Sequence, residues 1–199
     1  MNCKYCGNVA TYKCSVCGTL VCEAHAKQPT VCPSCLRKTK EKHAIRRASS
    51  EKEKDEIRRF VKQFWGEEEQ LTFERKYNVA QQPAYVAKAG KKTVGFISFA
   101  ENADHLIIVA IGVQAEHQGS EIGRALVKKV ESEARKLQKK KLLVSTSNDN
   151  LPALGFYQAI GFQIFEVKPN ILAEKHGQVL AGISGLPVRD ELRLQKILR

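Results

Sequence analysis

Past Cys35 the chain has no cysteine at all, although its first 35 residues hold seven. Long apolar runs are missing too. The longest, Leu106–Val113, is eight residues and includes Gly112, whereas a bilayer-spanning helix needs about 20. No membrane span is therefore predicted. Met1–Cys6 has no apolar core, so no secretory signal is predicted either, and the expected location is the cytoplasm. Acidic residues are in deficit, with Asp+Glu 21 against Lys+Arg 33 and a net charge of +12. This excludes an acidic solvating chain and points to an anionic partner such as nucleic acid, a phosphorylated cofactor or an acidic surface. Neither the Gly-Lys-Ser/Thr ending of a P-loop nor a dinucleotide fingerprint is present. At 199 residues the chain can hold one ordinary core and a small satellite module.

The cysteines carry a pattern. Together with His25 they form four pairs, each with a two-residue gap: Cys3/Cys6, Cys14/Cys17, Cys22/His25 and Cys32/Cys35. Such a gap lets both side chains of a tight turn reach one tetrahedral ion. Eight soft N/S ligands suit two structural Zn2+ sites. An odd cysteine count without a secretory signal argues against a disulfide framework. Gly7 and Gly18 directly follow two of the pairs, where a knuckle turn often needs positive φ. Only four residues separate Cys17 from Cys22. That spacing favours interleaving, with Cys3, Cys6, Cys22 and His25 on one ion and Cys14, Cys17, Cys32 and Cys35 on the other. Sequential pairing is the alternative. The module resembles the cross-braced fingers of the B-box and RING type without matching either spacing rule closely. Too small to bury a sufficient core, it would draw its folding energy from zinc.

From Leu36 to Glu56 charge is almost continuous, which reads as a solvated helix or a linker. The expected division is a zinc module over 1–36, a charged linker or helix over 37–52, and a larger domain over 53–199. Ser50 and Glu53 fit a capping box, and the helix they open presents Ile57, Phe60, Val61 and Phe64 on one face. Residues 1–60 hold 13 basic and 6 acidic side chains. With no aromatic interleaving, this basic stretch reads as a solvated face more readily than as a nucleic-acid site. Short β-rich runs follow at Tyr85–Lys88, Thr93–Phe99 and Leu106–Val113, forming a meander. A helix over Ile122–Leu137, a strand at Leu142–Ser145, a helix capped by Asn150 with Pro152 in its first turn, and a strand at Phe162–Val167 come next. Glu191–Leu198 is a candidate last strand. The fold class is α+β, a mixed and mainly antiparallel sheet flanked by helices.

The junction Gln118-Gly119-Ser120-Glu121-Ile122-Gly123-Arg124 joins a strand to the start of a long helix. Free backbone N–H groups at such a start, with the helix dipole behind them, suit a diphosphate. Gly119 and Gly123 leave room for close approach of a ligand.

These residues resemble the GNAT superfamily of acetyl-CoA-dependent N-acyltransferases. Gln118 to Gly123 follows the pyrophosphate-loop motif Gln/Arg-x-x-Gly-x-Gly/Ala with one departure. Asn150, Ala153, Phe156, Tyr157, Gly161 and Phe162 match the second motif without a gap. The resemblance covers Glu53 to Arg199 and excludes the zinc module. It implies acetyl-CoA as co-substrate, its pantetheine arm pairing with the backbone of Ile111, Gly112 and Val113 as an added strand. The diphosphate would rest on N–H groups from Gly119 through Ser120, Glu121, Ile122 and Gly123 to Arg124, with Lys128, Lys129 and the cations of Arg135–Lys141 nearby. Asn150 would lie beside the pantetheine, and Tyr157 would be the general acid that protonates the departing thiolate.

Two departures stand out. Position 121 is Glu where the family has Gly; a side chain there at φ > 0 costs on the order of 1 kcal/mol, and its carboxylate repels a diphosphate unless Arg124 or a lysine screens it. Where some members carry a general base, this chain has Ile107 or Val109, which leaves His105, Glu101 and Glu116 as neighbouring candidates and the option of no base. His176 and Asp190 are candidates on the acceptor side. Without a cysteine after Cys35, no thiol serves a covalent acyl-enzyme, so the acceptor amine is expected to attack acetyl-CoA directly in a ternary complex. The zinc module would recruit a partner or protein substrate. Alternatives are a non-catalytic acyl-CoA-binding protein and, resting only on charge and zinc, a nucleic-acid binder.

Overall fold

The computed structural model describes residues 1–14, 18–26, 32, 43–182 and 185–198. Near the N-terminus, β1 (Tyr12–Lys13) and β2 (Leu20–Val21) pair antiparallel. The small core beside them consists of Cys3, Cys14, Val21, Cys22 and Cys32, four of the five being cysteines. Gly7 and Gly18 adopt φ of +75 and +70, the turn geometry expected after a knuckle pair.

The larger body is a seven-stranded sheet. The expected meander forms as β6 (Ala84–Ala89), β7 (Lys92–Glu101) and β8 (His105–Val113). β9 (Lys141–Ser147) joins β8 in parallel, the one parallel pairing in the sheet. The final strand β13 (Glu191–Ile197) inserts antiparallel between β9 and the edge strand β10 (Gln163–Lys168). The other edge is β3 (Ala44–Arg47), antiparallel to β6. Helix α2 (Ile122–Lys136) packs on one face because Ile122, Leu126, Val130 and Ala134 recur every fourth residue; all four are buried with Leu106, Ile108, Val144 and Leu194. Helix α1 (Glu51–Trp65) covers the opposite face through Ile57, Phe60 and Val61 against Val86, Phe96 and Ala110. Its capping box forms as read: Ser50 accepts from the Glu53 N–H, and Glu53 accepts from the Ser49 and Ser50 N–H groups. Phe64 lies off the buried stripe.

Within the stretch read as a charged linker or helix, Ala44–Arg47 is instead a strand. An edge strand needs only one apolar contact, and Ile45 supplies it. The arginines suit the edge because Arg47 lies over the Tyr85 and Phe99 rings and reaches Glu133 at 2.6 Å. A hairpin of β4 (Glu69–Thr72) and β5 (Arg75–Asn78) follows α1, with no turn signal in the sequence. Its turn residues Phe73 and Glu74 both have positive φ, +51 and +60, without the glycine or asparagine such a turn prefers. Tertiary contacts hold it: the Phe73 N–H donates to Glu191, and Glu74 meets Arg193 and Lys168. Helix α3 (Leu151–Ala159) starts at the Asn150 cap, and Asn150 Oδ1 accepts from the Ala153 N–H at 3.1 Å. A short helix α4 (Ile171–His176) and a hairpin of β11 (Leu180–Ala181) and β12 (Pro187–Val188) fill the connection from β10 to β13. Among the described residues no helix is long and apolar enough to cross a membrane.

Candidate functional site

β8 and β9 run side by side only from His105↔Lys141 to Ile108↔Val144. Beyond that they separate, although β8 continues to Val113 and β9 to Ser147. The cause is local. In the pairing of β8 with β7, Ser98 faces Ala110 and Phe99 faces Ile108, so Val109 is an extra residue, a β-bulge that bends the strand. The β9-facing edge of Val109–Val113, which includes Ile111 and Gly112, is left without a strand partner among the described residues. An extended ligand with amide groups can pair there.

At the end of this open edge comes a single 3-10 turn, Ala115–His117, and then the loop into α2. Gln118 ties the loop back, donating from Nε2 to the Val113 carbonyl at 3.0 Å, and the Ser120 hydroxyl donates to the His117 carbonyl. Gly119 takes φ +74, the conformation for which glycine is suited. Glu121, the departure from the motif, takes φ +63 as the residue before α2, and its side chain caps nothing. It pairs with Arg124 at 2.8 Å, the screening contact the motif departure called for. From Gly119 to Arg124 the backbone N–H groups find no backbone acceptor among the described residues; the first intrahelical bond runs from Ala125 to the Glu121 carbonyl. Buried Gln114 Oε1 and His117 Nδ1 also lack partners at this end of β8. Backbone N–H donors without a backbone acceptor at a helix start fit a diphosphate-bearing ligand.

Gly123 has a packing reason beside the close ligand approach that its sequence suggests. A Cβ there would meet the Phe156 ring at 3.2 Å, so the glycine serves the contact between α2 and α3. Through that contact α3 reaches the loop, and the next residue, Tyr157, lies in the core between Phe156 and Phe162, ring centroids 5.3 and 5.6 Å away. Tyr157 is 4% exposed, and burial pushes its hydroxyl above the ordinary tyrosine range. A phenol with a raised pKa stays protonated at neutral pH and does not act as a base, and the same burial makes it a weaker acid than a solvated tyrosine.

The candidate bases fare worse. His105 opens β8, about 26 Å of extended strand from Val113, and its Nδ1 is 2.5 Å from Asp104. Glu101 is at the same far end, paired with Lys139 at 2.8 Å. Glu116 is in the 3-10 turn, exposed, 3.6 Å from Lys92. Asp190 accepts from the Asn170 N–H and pairs with Arg189, contacts that fix a loop, and His176 is exposed at the end of α4.

In the N-terminal region Cys3, Cys6, Cys22 and His25 converge, their ligand atoms all within 4.8 Å of one another. Cys3 Sγ is 3.7 Å from His25 Nδ1, Cys22 Sγ is 3.3 Å from the same nitrogen, and Cys6 Sγ is 3.5 Å from Cys22 Sγ. Ligands about 2.3 Å from a tetrahedral zinc are themselves about 3.7 Å apart, so the donor set fits that ion. These are the four residues of the interleaved pairing. Burial alone would raise the Cys3 thiol, but N–H groups of Cys22, Tyr5 and Cys6 bring it down to about 6. Of the other set, Cys14 accepts from the Cys32 N–H at 3.2 Å. Cys17 and Cys35 lie outside the described residues.

Comparison with known proteins adds the context. The family model described as "Acetyltransferase (GNAT) family" matches residues 50–162. The uncharacterized protein YxbD of Bacillus subtilis (strain 168) is 29% identical over 73% of this chain and 94% of its own length. Among solved structures, an IAA acetyltransferase from Bacillus cereus ATCC 14579 aligns with TM-score 0.65 and 24% identity over 79% of this chain and all of that one. A GNAT family acetyltransferase from Elizabethkingia anophelis, solved with acetyl-CoA bound, aligns with TM-score 0.59 and 19% identity over 80% of this chain and 100% of its own.

Proposed function

The chain belongs to the GNAT acetyltransferase family, and from that premise we propose that it is an acetyl-CoA-dependent N-acetyltransferase acting by direct attack of an amine. The observation that carries this reading is the bulged separation of β8 from β9 running into a loop of unpartnered N–H groups. Acetyl-CoA supplies the activated acetyl group as a thioester. The backbone of Ile111, Gly112 and Val113 would hold the pantetheine amides, and the N–H groups from Gly119 to Arg124 the diphosphate, with Gln118 fixing the loop. Asn150, its oxygen committed to the α3 cap, orients the helix that carries Tyr157. A backbone N–H of Ile111–Val113 would polarise the thioester carbonyl. The amine nitrogen bonds to the acetyl carbon, the carbon–sulfur bond breaks, and Tyr157 gives its proton to the departing sulfur. His105 and Glu101 lie at the far end of β8, and Glu116 is exposed and pairs only loosely with Lys92; with no base assigned, the amine would enter neutral and lose its second proton to solvent.

For the N-terminal region we propose structural zinc at Cys3, Cys6, Cys22 and His25, with a second ion at Cys14, Cys17, Cys32 and Cys35. Residues 1–36 would then form a recruiting module attached to the enzyme. Steady-state release of CoA, with Tyr157→Phe beside wild type, tests the catalytic reading. The expected result is a fall of about 10²- to 10⁴-fold in kcat, an unchanged KM for acetyl-CoA, and intersecting two-substrate patterns. Parallel lines would overturn the direct attack. Tight acetyl-CoA binding without turnover of any amine would favour a binding protein.

A further inference from the structure

The bulge and the loop account for one side of the opening between β8 and β9. An aromatic group faces it from the α1 side. There Gly112 lies against Phe96 and Phe60, its missing Cβ 3.0 and 3.7 Å from their rings. Trp65 meets Phe96 edge-on at 6.4 Å, and Phe64 stacks on Phe60 at 5.8 Å. Phe64 and Trp65 are 40% and 39% exposed, although the rest of this aromatic group is buried. The chain then turns at Gly66 and enters β4, which lies close to β8. Thr72, at the end of β4, shares a 2.6 Å hydroxyl contact with Ser145. Ser145 is the first residue of β9 past the last one paired with β8. The β4–β5 hairpin therefore roofs the opening.

On this roof Gln70 and Thr72 share the face turned to the sheet, since strand side chains alternate. Tyr77, directly opposite Gln70, packs against the α1-side core, which fixes the same face independently. Gln70 Nε2 is buried and has no hydrogen-bond partner among the described residues. A buried amide nitrogen left unpaired is costly, and beside a substrate opening the ligand is the natural partner.

We propose that Gln70 orients the acceptor: its amide nitrogen donates to an oxygen that the incoming amine carries close to its reacting nitrogen, while Trp65 and Phe64 give the remainder an apolar wall. The acceptor class is an amine with a neighbouring carbonyl, as in an amino-acid amide or the N-terminal residue of a peptide, in preference to an unadorned alkyl amine. This inference rests on the acetyltransferase reading above.

The test is steady-state CoA release by the full-length protein with two probes of one skeleton, phenylalaninamide and 2-phenylethylamine, rates being referred to the neutral amine. Wild type should prefer phenylalaninamide in kcat/KM. Gln70→Leu, which removes the orphaned group without opening a cavity, should lose about tenfold of that preference. The loss should appear in KM for phenylalaninamide, leaving kcat with 2-phenylethylamine and the calorimetric affinity for acetyl-CoA unchanged. Gln70→Glu, unable to donate, should behave the same way. An equal fall for both amines would place Gln70 on the thioester and overturn the proposal. So would a preference that survives in both variants, or acetyl-CoA binding with no reaction of either probe. Absence of acetyl-CoA binding in wild type would bring down the parent reading, and this one with it.

Discussion

Glu121 is a carboxylate at the spot where the loop should welcome negative charge, and it is held in a left-handed conformation at φ +63. Two variants separate these effects. Glu121→Gln removes the charge and keeps the backbone strain; Glu121→Gly removes both. A carboxylate about 6 Å from a phosphate charge costs about 0.7 kcal/mol at the dielectric of water, and two phosphates about double that. Arg124, 2.8 Å away, offsets part of it. The pair is surface-lying, with Glu121 71% exposed and Arg124 43%, so its own contribution is small and the arginine is free to turn to a phosphate once the glutamate is gone. Acetyl-CoA should bind about 3- to 10-fold tighter to Glu121→Gln, corresponding to about 0.7–1.4 kcal/mol. Glu121→Gly should show the same gain in affinity and, in addition, a stability increase of about 0.5 kcal/mol, because relief of the left-handed strain exceeds the chain entropy that glycine adds. Calorimetry in about 0.05 M and 1 M salt checks the cause, since a Debye length of about 3 Å at the higher salt should erase most of the affinity gain. Equal or weaker binding by Glu121→Gln at low salt would refute the placement of the diphosphate at this loop.

Two further outcomes follow from the geometry. Glu53 is buried, which alone would raise its pKa, but the N–H groups of Ser49 and Ser50, the Ser50 hydroxyl and Arg46 lower it below the ordinary 4.5. A depressed carboxylate stabilises the folded state above its unfolded value and loses that contribution as pH falls through the folded value. Glu53→Gln should therefore reduce stability by about 1 kcal/mol at pH 7 and flatten the acid limb below pH 4.5, read by urea titration from pH 7 to 3. For the cysteine module, elemental analysis should give two zinc ions per chain, and cobalt spectra should separate the pairings. With interleaving, Cys6→Ser disturbs the site of three sulfurs and one nitrogen and spares the four-sulfur site; with sequential pairing the four-sulfur spectrum is the one that goes.

How far the sequence reaches depends on whether a feature is written locally. The capping box at Ser50 and Glu53, the four-residue recurrence of Ile122 to Ala134, and the Asn150 cap each depend on neighbours within one turn, and each forms. The strand Ala44–Arg47 does not show in the sequence because three of its four residues look like solvent-exposed linker; the distant Tyr85, Phe99 and Glu133 make it an edge. The Phe73–Glu74 turn carries no turn residue, since Glu191 and Arg193, more than a hundred residues on, hold its backbone. At the candidate site the loop was legible from its glycines and glutamine, whereas the bulge at Val109 was not. Eight consecutive apolar or small residues from Leu106 to Val113 offer no alternation for an extra residue to break. Gln70 left no trace either: a glutamine in a polar run becomes informative only when folding buries its amide and supplies no partner. The cysteine pairs lie between these cases. Their spacing marked the candidate ligands, and convergence of the first and third pairs around one point, which spacing alone left open between two pairings, accompanies the β1–β2 pairing that brings Cys22 and His25 back to Cys3 and Cys6.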